Sequence, residues 1–108
     1  MYGLISKLDA VDGRREDLAR ILVEGSAEMP GCLSYFVAED TTDPNGVWVT
    51  EIWHSRADHE RSLSLPAVRA AMEKGRPLIA GRHAGRVIDW SLPARVIGRG
   101  VDDDPRRG

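Results

Sequence analysis

The sequence of 108 residues has only one cysteine, Cys32, so it can form neither an internal disulfide nor a cysteine-based zinc site. We expect this thiol to be a small buried apolar group. Basic residues are not in excess, since 15 Lys and Arg stand against 17 Asp and Glu, whereas a nucleic-acid binder normally carries a basic footprint. No apolar run approaches the roughly 20 residues that span a membrane, and no signal-peptide pattern opens the chain. These absences predict a cytoplasmic protein that binds neither nucleic acid nor membrane.

The length of the chain predicts a single domain. A domain of this size buries a smaller fraction of its surface than a large one. It can hold a two-layer core but not a deep enclosed site as well. A site shared with a second subunit would remove that limit, so we expect an oligomer.

The first half of the chain alternates strand and helix patterns. Tyr2–Val11 predicts a strand, and apolar residues at helical spacing predict a helix over Arg14–Met29. Cys32–Glu39 and Val47–Trp53 are rich in strand-forming residues, and the short polar loop between them predicts a β-hairpin.

The second half predicts a broken helix and a last strand. The Ser55 hydroxyl suits a helix N-cap, and the short helix should run to about Leu63. Pro66 suits the first turn of another helix, which Pro77 ends or kinks. Arg82–Trp90 is expected to be the final strand.

The resulting order is β-α-β-β-α-β, with the second helix in two pieces. This order predicts an α+β, ferredoxin-like fold, with a four-stranded antiparallel sheet and helices on one face. A second copy of the sheet is the natural cover for the other face, so we expect a homodimer. We assign residues 1–92 to this domain and 93–108 to a C-terminal extension that is flexible or contacts the partner.

Candidate chemistry concentrates between Glu51 and His59. Val49, Glu51 and Trp53 share one face of their strand because side chains alternate. A half-buried Glu51 needs a partner or a raised pKa, and one interpretation is a salt bridge to an arginine at a sheet face or a dimer interface. Trp53 could form the flat wall of a ligand pocket or be an ordinary core tryptophan.

His59 is the best candidate for a general base, because histidine exchanges protons near neutral pH. The alternative is a surface or capping histidine. The three histidines have no tight spacing, so no metal site is predicted, and dinucleotide-binding and nucleophile-elbow motifs are absent from the sequence.

The sequence resembles the antibiotic biosynthesis monooxygenase superfamily over about residues 1 to 90. The resemblance is carried by Glu28-Met29-Pro30-Gly31-Cys32-Leu33-Ser34-Tyr35, Asp43-Pro44-Asn45, Glu51-Ile52-Trp53, Ser55-x-Ala57-x-His59 and Leu63-Ser64-Leu65-Pro66. It implies a dimeric α+β barrel. Some relatives oxidise quinols or polyketide aromatics with no metal or flavin, and others degrade haem.

Two departures from the family's pattern bear on function. Ser62 stands where relatives often carry a second histidine. The haem-degrading branch uses an asparagine on the first strand, a tryptophan in the short helix and a histidine in the last helix. This chain has Ser6 and Lys7, Ser62, and Met72 at those places, so haem degradation is disfavoured.

The resemblance predicts a cofactor-independent monooxygenase that acts, with molecular oxygen, on a phenol, quinol or polycyclic aromatic. His59 would take a proton, Trp53 would pack on the ring, and Glu51 would orient polar groups. The remaining residues expected to bind the substrate are Tyr35, Val49, Met72 and Arg82. A non-catalytic binding or dimerisation module of the same fold, or an isomerase or cyclase that needs no oxygen, remain the alternatives.

Overall fold

The computed structural model describes residues 1–83 and 86–89, the last four as backbone only. Nine elements follow one another within these described residues. They are β1 (Tyr2–Ala10), α1 (Arg15–Gly25), β2 (Cys32–Glu39), β3 (Gly46–Trp53), α2 (Arg56–Ser62), α3 (Pro66–Gly75), a 3-10 turn (Arg76–Leu78), β4 (Ile79–Arg82) and β5 (Arg86–Asp89). The predicted extension 93–108 lies outside the described residues, so the domain boundary at residue 92 stays a prediction.

All described strands form one antiparallel sheet in the order β2-β3-β1-β4, and β5 also pairs with β1. β4 lies beside Leu8–Ala10 and β5 beside Tyr2–Ile5, so the two strands share one edge of the sheet. The last strand therefore starts earlier than predicted and comes in two pieces. The predicted α+β, ferredoxin-like fold is confirmed.

The hydrophobic core lies between the sheet and α1. Leu18 of α1 and Val47 of β3 are fully buried, and the other buried members of this cluster are Leu8, Ala10, Val49 and Leu78. α1 ends at Gly25 rather than at the predicted Met29, because the backbone and hydroxyl of Ser26 both donate to the Val23 carbonyl and close the last turn.

The start of α2 is fixed by two local contacts. The Ser55 hydroxyl accepts a hydrogen bond from the Asp58 backbone at 3.1 Å, which confirms the predicted N-cap. The Asp58 side chain lies directly against Gly31, whose φ of 86° favours glycine. The loop that precedes β2 therefore sets the position of α2.

No helix or loop among the described residues covers the opposite face of the sheet. Phe36 of β2 is 65% exposed and Trp48 of β3 is 39% exposed. No helix in the described part of the chain has the length and apolar character to cross a membrane.

Candidate active site

A cavity of about 220 Å³ lies between the sheet and the three helices. Its wall is mainly apolar and is built from Leu8, Leu18, Leu22, Gly25, Met29, Leu63, Val68, Ala71, Met72, Gly75 and Ile79. Its polar side chains are Ser26, Tyr35, Glu51, His59, Ser62 and Arg82. An apolar cavity with a few converging polar groups is the usual form of a small-molecule site.

Glu51 is the acid of this cavity. Its side chain is 15% exposed, and its Oε1 atom accepts a hydrogen bond of 3.0 Å from the Trp53 indole. Burial raises the pKa of Glu51, although the Trp53 hydrogen bond and the nearby His59 act in the opposite direction. Among the described residues its partners are this indole and this imidazole, and no described arginine pairs with it. A salt bridge to an arginine across a dimer interface stays a prediction.

His59 projects from α2 toward the same carboxylate. Its Nε2 atom lies 4.0 Å from Glu51 Oε1, and its side chain is 19% exposed. The Trp53 ring meets the imidazole edge-on at 5.4 Å between centroids, and the Tyr2 ring is tilted against it at 5.6 Å. Two aromatic rings therefore hold the imidazole beside the acid, which a surface or capping histidine would not require.

Ser62 supports His59 from the next turn of α2. The serine is 4% exposed, and its hydroxyl donates a hydrogen bond of 2.6 Å to the His59 carbonyl. The Ser62 hydroxyl proton is donated to this carbonyl, so the Ser62 oxygen can still accept a hydrogen bond from a group in the cavity.

With this geometry in place, the chain can be compared with known proteins. The family model described as "Antibiotic biosynthesis monooxygenase" matches residues 1–74. The chain belongs to this family. The predicted resemblance is therefore confirmed, and membership supports a general monooxygenase-like role on a small-molecule substrate.

Solved structures show the same relationship. A Chloroflexus aurantiacus protein, whose name places it in the antibiotic biosynthesis monooxygenase family, is 48% identical, with a TM-score of 0.82 over 90% of this chain and 98% of that one. A Deinococcus radiodurans protein named for the same family has a TM-score of 0.74 over 91% of this chain and 100% of that one, at 24% identity. The Deinococcus protein shows the shared fold alone.

One curated relative also matches. The uncharacterized protein sll1783 of Synechocystis sp. is 33% identical over 63 residues, which is 58% of this chain. The match covers 43% of the Synechocystis protein, so much of that protein has no counterpart in the match.

The residues predicted for this family member fall into two groups. Tyr35, Met72 and Arg82 lie in the cavity wall together with Glu51 and His59. Val49 is 3% exposed and belongs to the core, and Trp53 is fully buried beside the cavity rather than in its wall. Trp53 contacts both the acid and the base, and its role in packing on a substrate ring stays a prediction.

Tyr35 faces Glu51 across the β2–β3 pair. Burial raises the pKa of the Tyr35 phenol, and the Glu51 charge raises it further. The phenol is therefore neutral near neutral pH and can donate a hydrogen bond to an oxygen atom in the cavity.

The importance of Ser62 could not be read from its residue type. The signal in the sequence was its spacing of three residues from His59, because positions three apart lie on the same side of a helix. His59 and Ser62 consequently both line the cavity. The α1 residues of the wall likewise follow from helix packing rather than from a motif.

Proposed function

We propose that the chain is a cofactor-independent monooxygenase that oxidises a phenol or hydroquinone with molecular oxygen. The observation that carries this proposal is the pairing of His59 and Glu51 at 4.0 Å in a mainly apolar cavity. A base is needed because the substrate anion, which is richer in electrons than the neutral phenol, is the species that reduces oxygen. General-base catalysis contributes about 10²- to 10⁴-fold in typical enzymes.

His59 takes the substrate's hydroxyl proton in this mechanism. The positive charge that forms on the imidazole is stabilised by the Glu51 carboxylate. The Trp53 indole holds that carboxylate in place through its 3.0 Å hydrogen bond.

The substrate supplies all the electrons of the reaction. A hydroquinone and one O₂ give a hydroxyquinone and one water, so one oxygen atom enters the ring and the other leaves as water. The cavity favours the anion through the Tyr35 O–H, which can donate to the developing phenolate.

The size of the cavity narrows the proposed substrate. An engineered apolar cavity of about 150 Å³ holds benzene, and the cavity described here measures about 220 Å³. This volume favours one ring with substituents, or two fused rings, over a larger polycyclic aromatic.

The uncovered sheet face supports a homodimer. Phe36 and Trp48 leave apolar surface in water on the face opposite the helices. We propose that a second copy of the chain packs on this face, with the two cavities on the outer sides of the paired sheets.

Oxygen consumption by the purified protein tests the catalytic proposal. A panel of hydroquinones and naphthohydroquinones should give substrate-dependent uptake that persists after treatment with a chelator and without added flavin. His59→Ala should lower the rate about 10²-fold or more while binding persists. His54→Ala is the matched control, because that histidine is 79% exposed and should leave the rate unchanged.

The other functional classes are separate outcomes of the same experiment. A compound that binds in the cavity and is never converted by the wild type would replace the oxygenase with a binding module. Conversion that continues at an unchanged rate under strict anaerobic conditions would replace it with an isomerase or cyclase.

A further inference from the structure

The wall of the cavity carries opposite charges. Among the described residues that line it, Glu51 is the acid and Arg82 is the one lysine or arginine. Glu51 is largely buried, whereas Arg82 is exposed and stands where the cavity meets solvent.

The sheet register separates the two charged residues. Glu51 pairs with Leu4 of β1, and Arg82 pairs with Leu8 of the same strand. Four residues along a strand correspond to about 13 Å. Paired residues of an antiparallel sheet point to the same face, so both side chains lie on the helix side.

We infer that the substrate is a hydroxylated aromatic carboxylate, whose carboxylate binds Arg82 while its hydroxyl lies beside His59 and Glu51. This inference rests on the proposed function, because it assumes that an aromatic hydroxyl compound occupies the cavity. The planar guanidinium of arginine matches a carboxylate through two parallel hydrogen bonds. Within the described part of the chain Arg82 forms no ion pair, so its guanidinium donors can bind a ligand.

The opposite charges also fix the orientation of such a ligand. A carboxylate at the buried end would meet Glu51, and the two negative charges would repel. The reverse orientation places the hydroxyl beside the base and the carboxylate at Arg82. A single bound orientation brings the reacting hydroxyl to His59 in every binding event, which favours reaction.

Binding of two matched compounds tests this inference. Gentisate and its uncharged amide share the ring and both hydroxyls, and titration calorimetry at neutral pH compares their affinities. The wild type should bind gentisate about tenfold more tightly than the amide. Arg82→Gln should remove this preference by weakening gentisate alone, whereas Arg82→Lys should retain part of it because the charge remains.

Arg69→Gln is the control for a general charge effect, because Arg69 is an exposed arginine of α3 that does not line the cavity. It should leave the preference intact. Equal affinities for the two compounds in the wild type, or an equal loss of preference in Arg69→Gln, would overturn the inference.

Oxygen uptake separates this inference from the proposed function. If the amide or unsubstituted hydroquinone is oxidised as fast as gentisate and no binding preference exists, the oxygenase stands and the carboxylate assignment fails. If gentisate binds preferentially through Arg82 but no compound of the panel consumes oxygen, the ligand class stands and the oxygenase fails.

Discussion

The Nε2 atom of His59 lies 4.0 Å from Glu51 Oε1, the same oxygen that accepts the indole hydrogen bond of Trp53. The three side chains come from the end of β3 and the middle of α2. Glu51 Oε1 therefore faces both the Trp53 indole, which holds it in place, and the His59 imidazole, which we propose to be the base. Catalytic hydrogen bonds are often long in the absence of a ligand and shorten when substrate binds.

Glu51→Gln should lower kcat about 10- to 100-fold, because the variant loses the negative charge that stabilises a protonated His59. The glutamine oxygen can still accept the Trp53 hydrogen bond, so KM should change little. Steady-state oxygen uptake measures both constants. Glu60→Gln is the control, because Glu60 is an exposed residue of α2, the helix that carries His59. An unchanged kcat in Glu51→Gln would mean that the base acts without this carboxylate.

The stability of Glu51→Gln relative to the wild type should increase as pH rises from acidic values. Burial raises the folded-state pKa of Glu51 above its ordinary value of 4.5, so the folded state holds this proton more tightly than the unfolded state. The wild type therefore loses stability as pH rises from 4.5 through the raised pKa. The variant does not titrate there, and its stability relative to the wild type should rise across this window.

Urea unfolding of both proteins, from acidic to neutral pH, measures that difference. The other carboxyl groups are common to the two proteins, so their contributions cancel in the comparison. A difference between the two free energies of unfolding that stays constant with pH would contradict the prediction.

Gly31→Ala should destabilise the protein more than Gly13→Ala. Both glycines have positive φ, at 86° and 76°, so each substitution carries a backbone cost of about 1–2 kcal/mol. A methyl group at Gly13 meets nothing within 4 Å, whereas one at Gly31 overlaps the Asp58 side chain. We expect Gly31→Ala to cost at least about 1 kcal/mol more, since the overlap must be relieved by a shift.

Thermal or urea unfolding of the two alanine variants tests this ordering. Because Asp58 lies at the start of α2, Gly31→Ala should also reduce oxygen uptake by displacing His59, and Gly13→Ala should not. Equal destabilisation by the two substitutions would show that the Asp58 contact is loose.

Phe36→Glu should convert the proposed dimer into a monomer, because it places a charge on the sheet face that the partner would cover, at a residue that is 65% exposed. Val23→Glu is the control, since Val23 is 55% exposed on α1, away from the sheet. Sedimentation analysis gives the molecular mass. A wild-type protein that sediments as a monomer would remove the dimer from the proposal.

Local signals predicted most of the fold. The bounds of β2 and the Ser55 cap follow from residues that interact with near neighbours, and both are as expected. The end of α1 and the two-part strand at the edge were not predicted. They depend on how Ser26 closes its turn and on how the chain after α3 pairs with β1.

The candidate site was predictable only in part. Strand alternation placed Glu51 and Trp53 on one face, and the structure agrees. It could not show that the cavity reaches Glu51 but not Trp53, because that depends on where α2 packs over β3. The contact between His59 and Glu51 depends on the same packing.

The burial of Trp53 gives the protein an internal optical probe. Its indole N–H donates to Glu51 and its ring lies edge-to-face with His59, so we expect the emission of this fluorophore to depend on the charge of both groups. A ligand that takes up or releases a proton at this pair should change the spectrum without touching the indole. Binding and proton transfer can therefore be followed by stopped-flow fluorescence in the unlabelled protein, with Trp53→Phe identifying the signal.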